Sequence, residues 1–280
     1  MNIPQESETP GREPADPLRS HFEEMRLAHR VVARLLPRRG PRPEGLEWAG
    51  LCLPHSGVGG DFYDFLEPGP GRLVLALGDV SGKGVAAALM MATLQASLRS
   101  HFALGPGDLP PLLESVNRLF TACTASEHYA TLFLGELDQA SGRLGYVNCG
   151  HVSPILLHRG LRAERLGPTA TPLGMFEAWT APVAATLIED GDLLLIVSDG
   201  VTEAVGPGGD AYGDDRLLAA LLAHRELRPS AVVRAIADEV REFAGGRLTD
   251  DLTLVAARAR ACGGPGRSSA PGGNAREGGR

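Results

Sequence analysis

Apolar side chains between residues 18 and 36 recur at helical spacing. Leu27, Val31 and Leu35 fall four apart, with Val32 and Leu36 widening the stripe. Pro37 and the Arg-Arg-Gly-Pro that follows end the helix. So narrow a stripe is not a core of its own, and it needs a partner: the surface of the following domain or a second copy of the helix. From Leu46 the rhythm changes to short apolar runs between turns. Leu73–Leu77, Ala130–Leu137, Leu144–Asn148, Ile155–Leu157, Leu193–Val197 and Leu252–Ala256 are predicted strands. Helices are predicted over Gly84–His101, Leu109–Ala122, Arg216–Ala223 and Ser230–Phe243, the last with Ser230 as N-cap behind Pro229. Strands in runs, with helices in pairs between them, predict an α+β sandwich rather than a strictly alternating parallel sheet. Both ends of the chain are poor in apolar residues and rich in Pro, Gly, Ser or Glu, and are expected to be disordered. The resulting division is a tail over 1–17, a linker helix and connector over 18–45, one domain over 46–260 and a tail over 261–280.

Composition narrows the field. With 43% hydrophobic and 22% charged residues the chain is ordinary globular material, enough for one large core. The net charge of −7 and the lack of a basic block argue against a nucleic-acid partner. The apolar runs are too short to cross a bilayer, and the N-terminus has neither the basic start nor the apolar run of a secretory signal. A cytoplasmic protein without membrane insertion is expected. Cys52, Cys123, Cys149 and Cys262 are scattered with no CxxC pair, so neither a zinc site nor a redox motif is predicted.

The chemistry lies in the acidic residues. Asp61 follows Val58-Gly59-Gly60; Asp79 ends an apolar run in Leu77-Gly78-Asp79-Val80-Ser81-Gly82-Lys83-Gly84; Asp199 ends another in Ile196-Val197-Ser198-Asp199-Gly200; Asp250 and Asp251 begin a third. Any one of them could simply make a turn. Taken together, at strand tips and glycine loops, they form a set of carboxylates that repel one another unless a hard divalent cation such as Mg²⁺ or Mn²⁺ compensates them. Asp64 reads as a turn or strand-end residue. GDVSGKG is not a phosphate loop, because three residues rather than four separate Gly78 from Gly82, and Gly84 follows Lys83. Neither Ser81 nor Ser198 sits in a G-x-S-x-G elbow, and no histidine pair has metal-ligand spacing. His151, in Asn148-Cys149-Gly150-His151, reads as a turn-stabilising or core-edge residue.

The ordered set VGGDFYD, GDVSGKG, NCGH, PLGM, SDGVTEA and TDDLTLV resembles the bacterial SpoIIE-type branch of the PPM protein phosphatases, relatives of protein phosphatase 2C, over about residues 46–258. Arg34-Leu35-Leu36-Pro37 is similar to the linker that precedes such domains. The resemblance implies a four-layer α-β-β-α sandwich, two stacked β-sheets flanked by helix pairs, with two Mn²⁺ or Mg²⁺ ions between the sheets. By motif, Asp79 matches the aspartate bridging both ions and Val80 the position offering a backbone carbonyl. Asp61 matches the first-motif aspartate, acting directly or through water, and Asp199 and Asp250 match the aspartates completing the second ion's shell. Asp61 and Asp79 are thus the candidate catalytic residues. Asp251, where the 2C enzymes have asparagine, together with Lys83 and Ser81, is a candidate for a supporting place behind the ligands. Ser81 stands where animal 2C enzymes carry a histidine, which leaves the proton donor unassigned. Gly60 stands where they have a glutamate, which implies a looser surround for the second ion.

The implied activity is hydrolysis of phosphoserine or phosphothreonine by a metal-activated water, with no covalent intermediate. The implied substrate is a phosphorylated STAS-domain anti-sigma-factor antagonist. The helix at 18–36 is the candidate contact of a homodimer and the candidate route of control. Two other readings stay open: a different two-metal phosphoester hydrolase, and a non-catalytic pseudophosphatase, whose mark would be a missing metal aspartate.

Overall fold

Leu73, Leu75 and Leu77 point one way along their strand while Val74, Ala76 and Val80 point the other, and this alternation organises the molecule. The computed structural model describes residues 17–37, 40–41, 45–125 and 127–260. The predicted tails over 1–17 and 261–280 lie outside the described residues, except for Pro17, which opens the first helix. One antiparallel sheet holds β2 (Phe62–Gly69), β3 (Arg72–Val80), β4 (Ala130–Asp138), β5 (Arg143–Cys149) and β8 (Ala184–Leu187) in that order. The other holds β1 (Leu46–Leu53), β10 (Leu252–Ala259), β9 (Leu193–Val197), β6 (Ile155–Leu157) and β7 (Ala163–Arg165). Both sheets are apolar on both faces, so the core has three layers. Tyr63, Phe65, Leu73, Leu75, Leu77 and Phe133 of the first sheet meet Leu156, Leu194, Ile196, Val255 and Ala257 of the second. The opposite face of the first sheet packs on α2 (Gly84–Phe102) and α3 (Leu109–Cys123) through Met91, Leu94, Leu98 and Leu113. That of the second packs on α5 (Gly213–His224) and α6 (Pro229–Phe243) through Leu217, Leu221, Val232 and Ile236. The fold is the α-β-β-α sandwich.

Several elements differ from the sequence expectations. β1, β2, β7, β8 and the single turn α4 (Asp199–Thr202) were not among the predicted elements. Ser230 is not the N-cap of α6: Arg228 caps it, with Pro229 in the first turn. Proline suits that place because its preset φ is helical and its missing N–H would find no partner there. The first helix, α1 (Pro17–Leu35), turns a different stripe inward than its spacing implied. Val32, Leu35 and Leu36 pack on the α2–α3 layer, while Phe22, Leu27 and Val31 remain exposed.

Candidate functional site

The two-residue period of the strands decides which acidic side chains enter the space between the sheets. Tyr63 and Phe65 face that layer, so Asp61, two residues before Tyr63, shares their side. Leu73, Leu75 and Leu77 put Asp79 there by the same count, and Asp79 lies opposite Thr131 of β4. From the second sheet, Val255 and Ala257 bring Thr253 to the same layer. Asp199 opens α4 directly after β9 and Ser198, and Asp250 lies two residues before β10. Four aspartates from four chain segments thus approach one end of the inter-sheet layer.

Their electrostatics record the crowding. Asp61 is 3% exposed, and its Oδ2 has no hydrogen-bond partner. Burial first, then the Asp79 charge, holds its carboxyl well above the ordinary range, with the Ser198 and Thr253 hydroxyls pulling it partly back. Burial and the Asp199 charge push Asp79 up to about 7, Asp250 and Asp251 adding to it and Asp61 offsetting in part. Asp199 is raised by burial, then by Glu203 and Asp250. Among the described residues no three His, Cys, Asp or Glu side chains form a ready-made metal shell.

Asp251 does different work from its neighbour. Its side chain turns inward, Oδ1 accepting from the His55 amide at 2.8 Å and Oδ2 from the Asp61 amide at 3.5 Å. It thereby holds the 55–61 loop that presents Asp61. The loop tolerates nothing larger than glycine here. A Cβ at Gly59 would lie 1.6 Å from Asp251 Oδ2, and one at Gly60 would lie 2.4 Å from the Val80 carbonyl oxygen. Gly60 therefore reflects the close approach of two backbones, and no side chain at this position stands over the Val80 carbonyl. Ser81 closes the β3–β4 end: its amide donates to Tyr129 O and its Oγ accepts from the Tyr129 amide at 3.0 Å. Lys83 spans the gap between the sheets, its Nζ 2.7 Å from Asp250 Oδ2 and 2.5 Å from Thr249 O.

Asp64 lies apart from this group. Three residues after Asp61, it faces α2 instead, buried in a two-pronged ion pair with Arg99 at 2.5 and 3.2 Å and bonded to Gln95 at 3.3 Å. Arg99 and Gln95 also donate to Leu35 O at the end of α1. The turn or strand-end reading of Asp64 is thus wrong. It is a buried anchor joining α1, α2 and β2.

His151 is buried, its backbone amide donating to Asn148 Oδ1 and its Nδ1 2.9 Å from Thr131 Oγ1. Burial lowers its pKa to about 4, so it is neutral near pH 7. Thr131 and Glu203 join the neighbourhood of Asp79 and Asp199, and neither was singled out from the sequence. Strand register with Asp79 flags Thr131, and a one-turn step from Asp199 flags Glu203.

The donors are all oxygen, the set that Mg²⁺ and Mn²⁺ prefer. Together with the buried, unpartnered Asp61 Oδ2 and the space that Gly60 leaves beside the Val80 carbonyl, they fit a hard divalent cation.

A family model described as Stage II sporulation protein E (SpoIIE) matches residues 69–260, more than half of the chain. The chain is similar to Protein IcfG of Synechocystis, 27% identical over 259 residues that cover 83% of this chain and 41% of that protein. It is similar to phosphoserine phosphatase RsbU of Bacillus subtilis, 24% identical over 238 residues, 84% of this chain and 70% of that one. Among solved structures it resembles the RsbU and RsbW domains of a Mycobacterium tuberculosis protein, with a TM-score of 0.70 and 30% identity over 82% of this chain and 64% of that one. The chain spans under half the length of the Synechocystis protein.

Proposed function

The chain belongs to the Stage II sporulation protein E (SpoIIE) family, and from that premise we propose that it is a divalent-cation-dependent protein serine/threonine phosphatase of the PPM type. The observation that carries this reading is the carboxylate cluster at the end of the inter-sheet layer, buried at Asp61 and open to solvent at Asp250, with Asp61 and Asp79 held far from their ordinary acidity. So much like charge on rigid strand ends is costly unless a cation is the intended occupant. The printed name of the similar RsbU, phosphoserine phosphatase, supports the reaction class.

Asp61, Asp79, Asp199, Asp250 and the Val80 carbonyl would hold two Mn²⁺ or Mg²⁺ ions. When bound, such ions supply Lewis acidity toward a phosphoryl group and bring a water's pKa near neutrality. The chain's own residues do the positioning. Strand pairing fixes Asp79 against Thr131. Asp251 fixes the loop that carries Asp61. The packed sheets on either side exclude bulk water from the buried half of the cluster. No Cys or Ser nucleophile with an activating base is needed.

As substrate we propose a phosphoserine on a STAS-domain anti-sigma-factor antagonist, in the cytoplasm. The support is the membership of the SpoIIE family and the similarity to RsbU. The test is incubation of a phosphorylated STAS protein with this chain and Mn²⁺, followed by mass spectrometry. Loss of phosphate at a rate well above that for phosphorylated DNA ends is the expected result. Equal action on DNA would favour the broader phosphoesterase reading, and no action on any phosphoprotein would favour a binding module.

A further inference from the structure

The Asp199–Asp250 side of the cluster is not bare. Gly82 and Gly84 both take left-handed φ values, 98° and 73°, and Lys83 is extended between them. That geometry carries the lysine from the Asp79 loop of one sheet to the Asp250 loop of the other. There its ammonium meets Asp250 Oδ2 and the Thr249 carbonyl, and its charge also favours the ionised form of Asp199, against burial and the neighbouring carboxylates that raise that residue's pKa. One cation of the chain thus faces the two carboxylates assigned above to the second ion.

We propose that Lys83 is a built-in counter-ion for the Asp199–Asp250 pair, exchanged for a divalent cation when the site fills. The inference rests on the metal-dependent reading given above and adds a role within it for a residue of the GDVSGKG loop. An ion on Asp250 and the Lys83 ammonium at 2.7 Å from the same carboxylate would repel one another, so entry of the ion drives the ammonium off Asp250. The lysine is placed for such an exchange. Its side chain is 54% exposed and that of Asp250 is 45% exposed, so the released ammonium can be hydrated and the pair is a weak one. Weakness is what a competitor needs: strong enough to quiet the repulsion of the metal-free cluster, weak enough to yield. Lys83 is then a positioning residue that sets how much cation the site requires.

The consequence forms a closed thermodynamic cycle. Whatever the Lys83 contact adds to the stability of the metal-free chain must be given up when metal binds. Removing it should lower the metal-free unfolding midpoint and tighten metal binding by the same free energy, leaving the metal-loaded midpoint where it was.

The experiment uses the full chain at low ionic strength, with Lys83→Met and the charge-keeping Lys83→Arg. Mn²⁺ binding is followed by calorimetry and by the electron paramagnetic resonance of free Mn²⁺, before any substrate is added. Lys83→Met is expected to bind its weaker Mn²⁺ about two- to five-fold more tightly than the unaltered chain. It should melt lower without metal and at the same temperature with saturating Mn²⁺. Lys83→Arg should stay within about twofold of the unaltered chain. Equal or weaker Mn²⁺ binding by Lys83→Met, or a melting deficit that persists in saturating Mn²⁺, would overturn the proposal and leave Lys83 a tether of the Thr249 loop. If the unaltered chain bound no Mn²⁺ at all, the metal-dependent reading would fall and this proposal with it.

Discussion

Asp61 immediately precedes β2 and Asp64 lies within it three residues on, and the pleat sends them to opposite faces. Asp61 enters the inter-sheet layer without a full set of partners, whereas Asp64 meets Arg99 and Gln95 on the helix side. Substitutions at the two places should therefore fail in different ways. Arg99→Met leaves the Asp64 carboxylate buried with Gln95 and the Phe65 amide as its remaining partners, and should cost about 3 kcal/mol of stability. Asp64→Asn should cost less, because the Arg99 side chain is 37% exposed and can turn to water. Thermal unfolding of both variants measures this, and the Mn²⁺ requirement should be unchanged in each. Asp199→Ala and Asp250→Ala should show the reverse, losing Mn²⁺ response with little loss of stability. The motifs made Asp61 legible in the sequence, but they hid Asp64. An aspartate disfavours a strand interior, and its ion-pair partner lies 35 residues away in sequence, on a helix. Asp251 was legible only as a neighbour of Asp250. Which of the two turns inward is settled by the His55 amide from the other end of the domain.

At the scale of elements, the strands that could be read were those buried largely on both faces, where a nearly unbroken apolar run leaves little choice: β3, β4, β5, β6, β9 and the start of β10. β2 mixes Asp64, Glu67 and Pro68 into its run, and β7 and β8 are three- and four-residue strands with exposed positions. None of these has a pattern that survives without its neighbours. The linker helix is the instructive case. Spacing correctly marked Leu35, Val32 and Leu36 as apolar, but only packing tells which residues turn inward. Its two sides now carry separate expectations. Leu36→Asp, at the packed side, should lower stability by about 2 kcal/mol or more. Val31→Asp, at a position 53% exposed, should leave stability within about 0.5 kcal/mol. If the outer face of α1 pairs with its copy, Val31→Asp should also halve the mass measured by light scattering. An unchanged mass would remove that face as the contact of a homodimer.

The whole molecule is two apolar sheets whose facing ends carry charge that the core between them cannot solvate. The layering follows from the strand periods, whereas the meeting of Asp61 and Asp79 with Asp199 and Asp250 depends on the strand order β1-β10-β9-β6-β7 against β2-β3-β4-β5-β8. No local pattern encodes that order; the motif resemblance implied two stacked sheets and grouped the four aspartates, without the order of the strands. The charge makes stability depend on pH in a definite direction. The Asp79 carboxyl titrates near 3.8 when unfolded and about 7 when folded, and Asp61 and Asp199 shift the same way. A raised folded-state value means the native chain holds protons the unfolded chain has lost, so its contribution is full below about pH 3.8 and is lost as pH rises through 7. Metal-free protein in chelator should lose at least about 4 °C of unfolding midpoint between pH 5 and pH 8 by scanning calorimetry. Added Mn²⁺ should restore that loss at pH 8. The most direct test of the phosphatase reading is phosphate release from a phosphoserine protein by the full chain in Mn²⁺, beside the same chain in chelator and the Asp79→Asn variant in Mn²⁺. Release by the unaltered chain in Mn²⁺, abolished by chelator and reduced at least about 100-fold by Asp79→Asn while the variant still unfolds cooperatively, is the expected result. Full release in chelator, or by Asp79→Asn, would contradict a cation-dependent phosphatase built on this aspartate cluster.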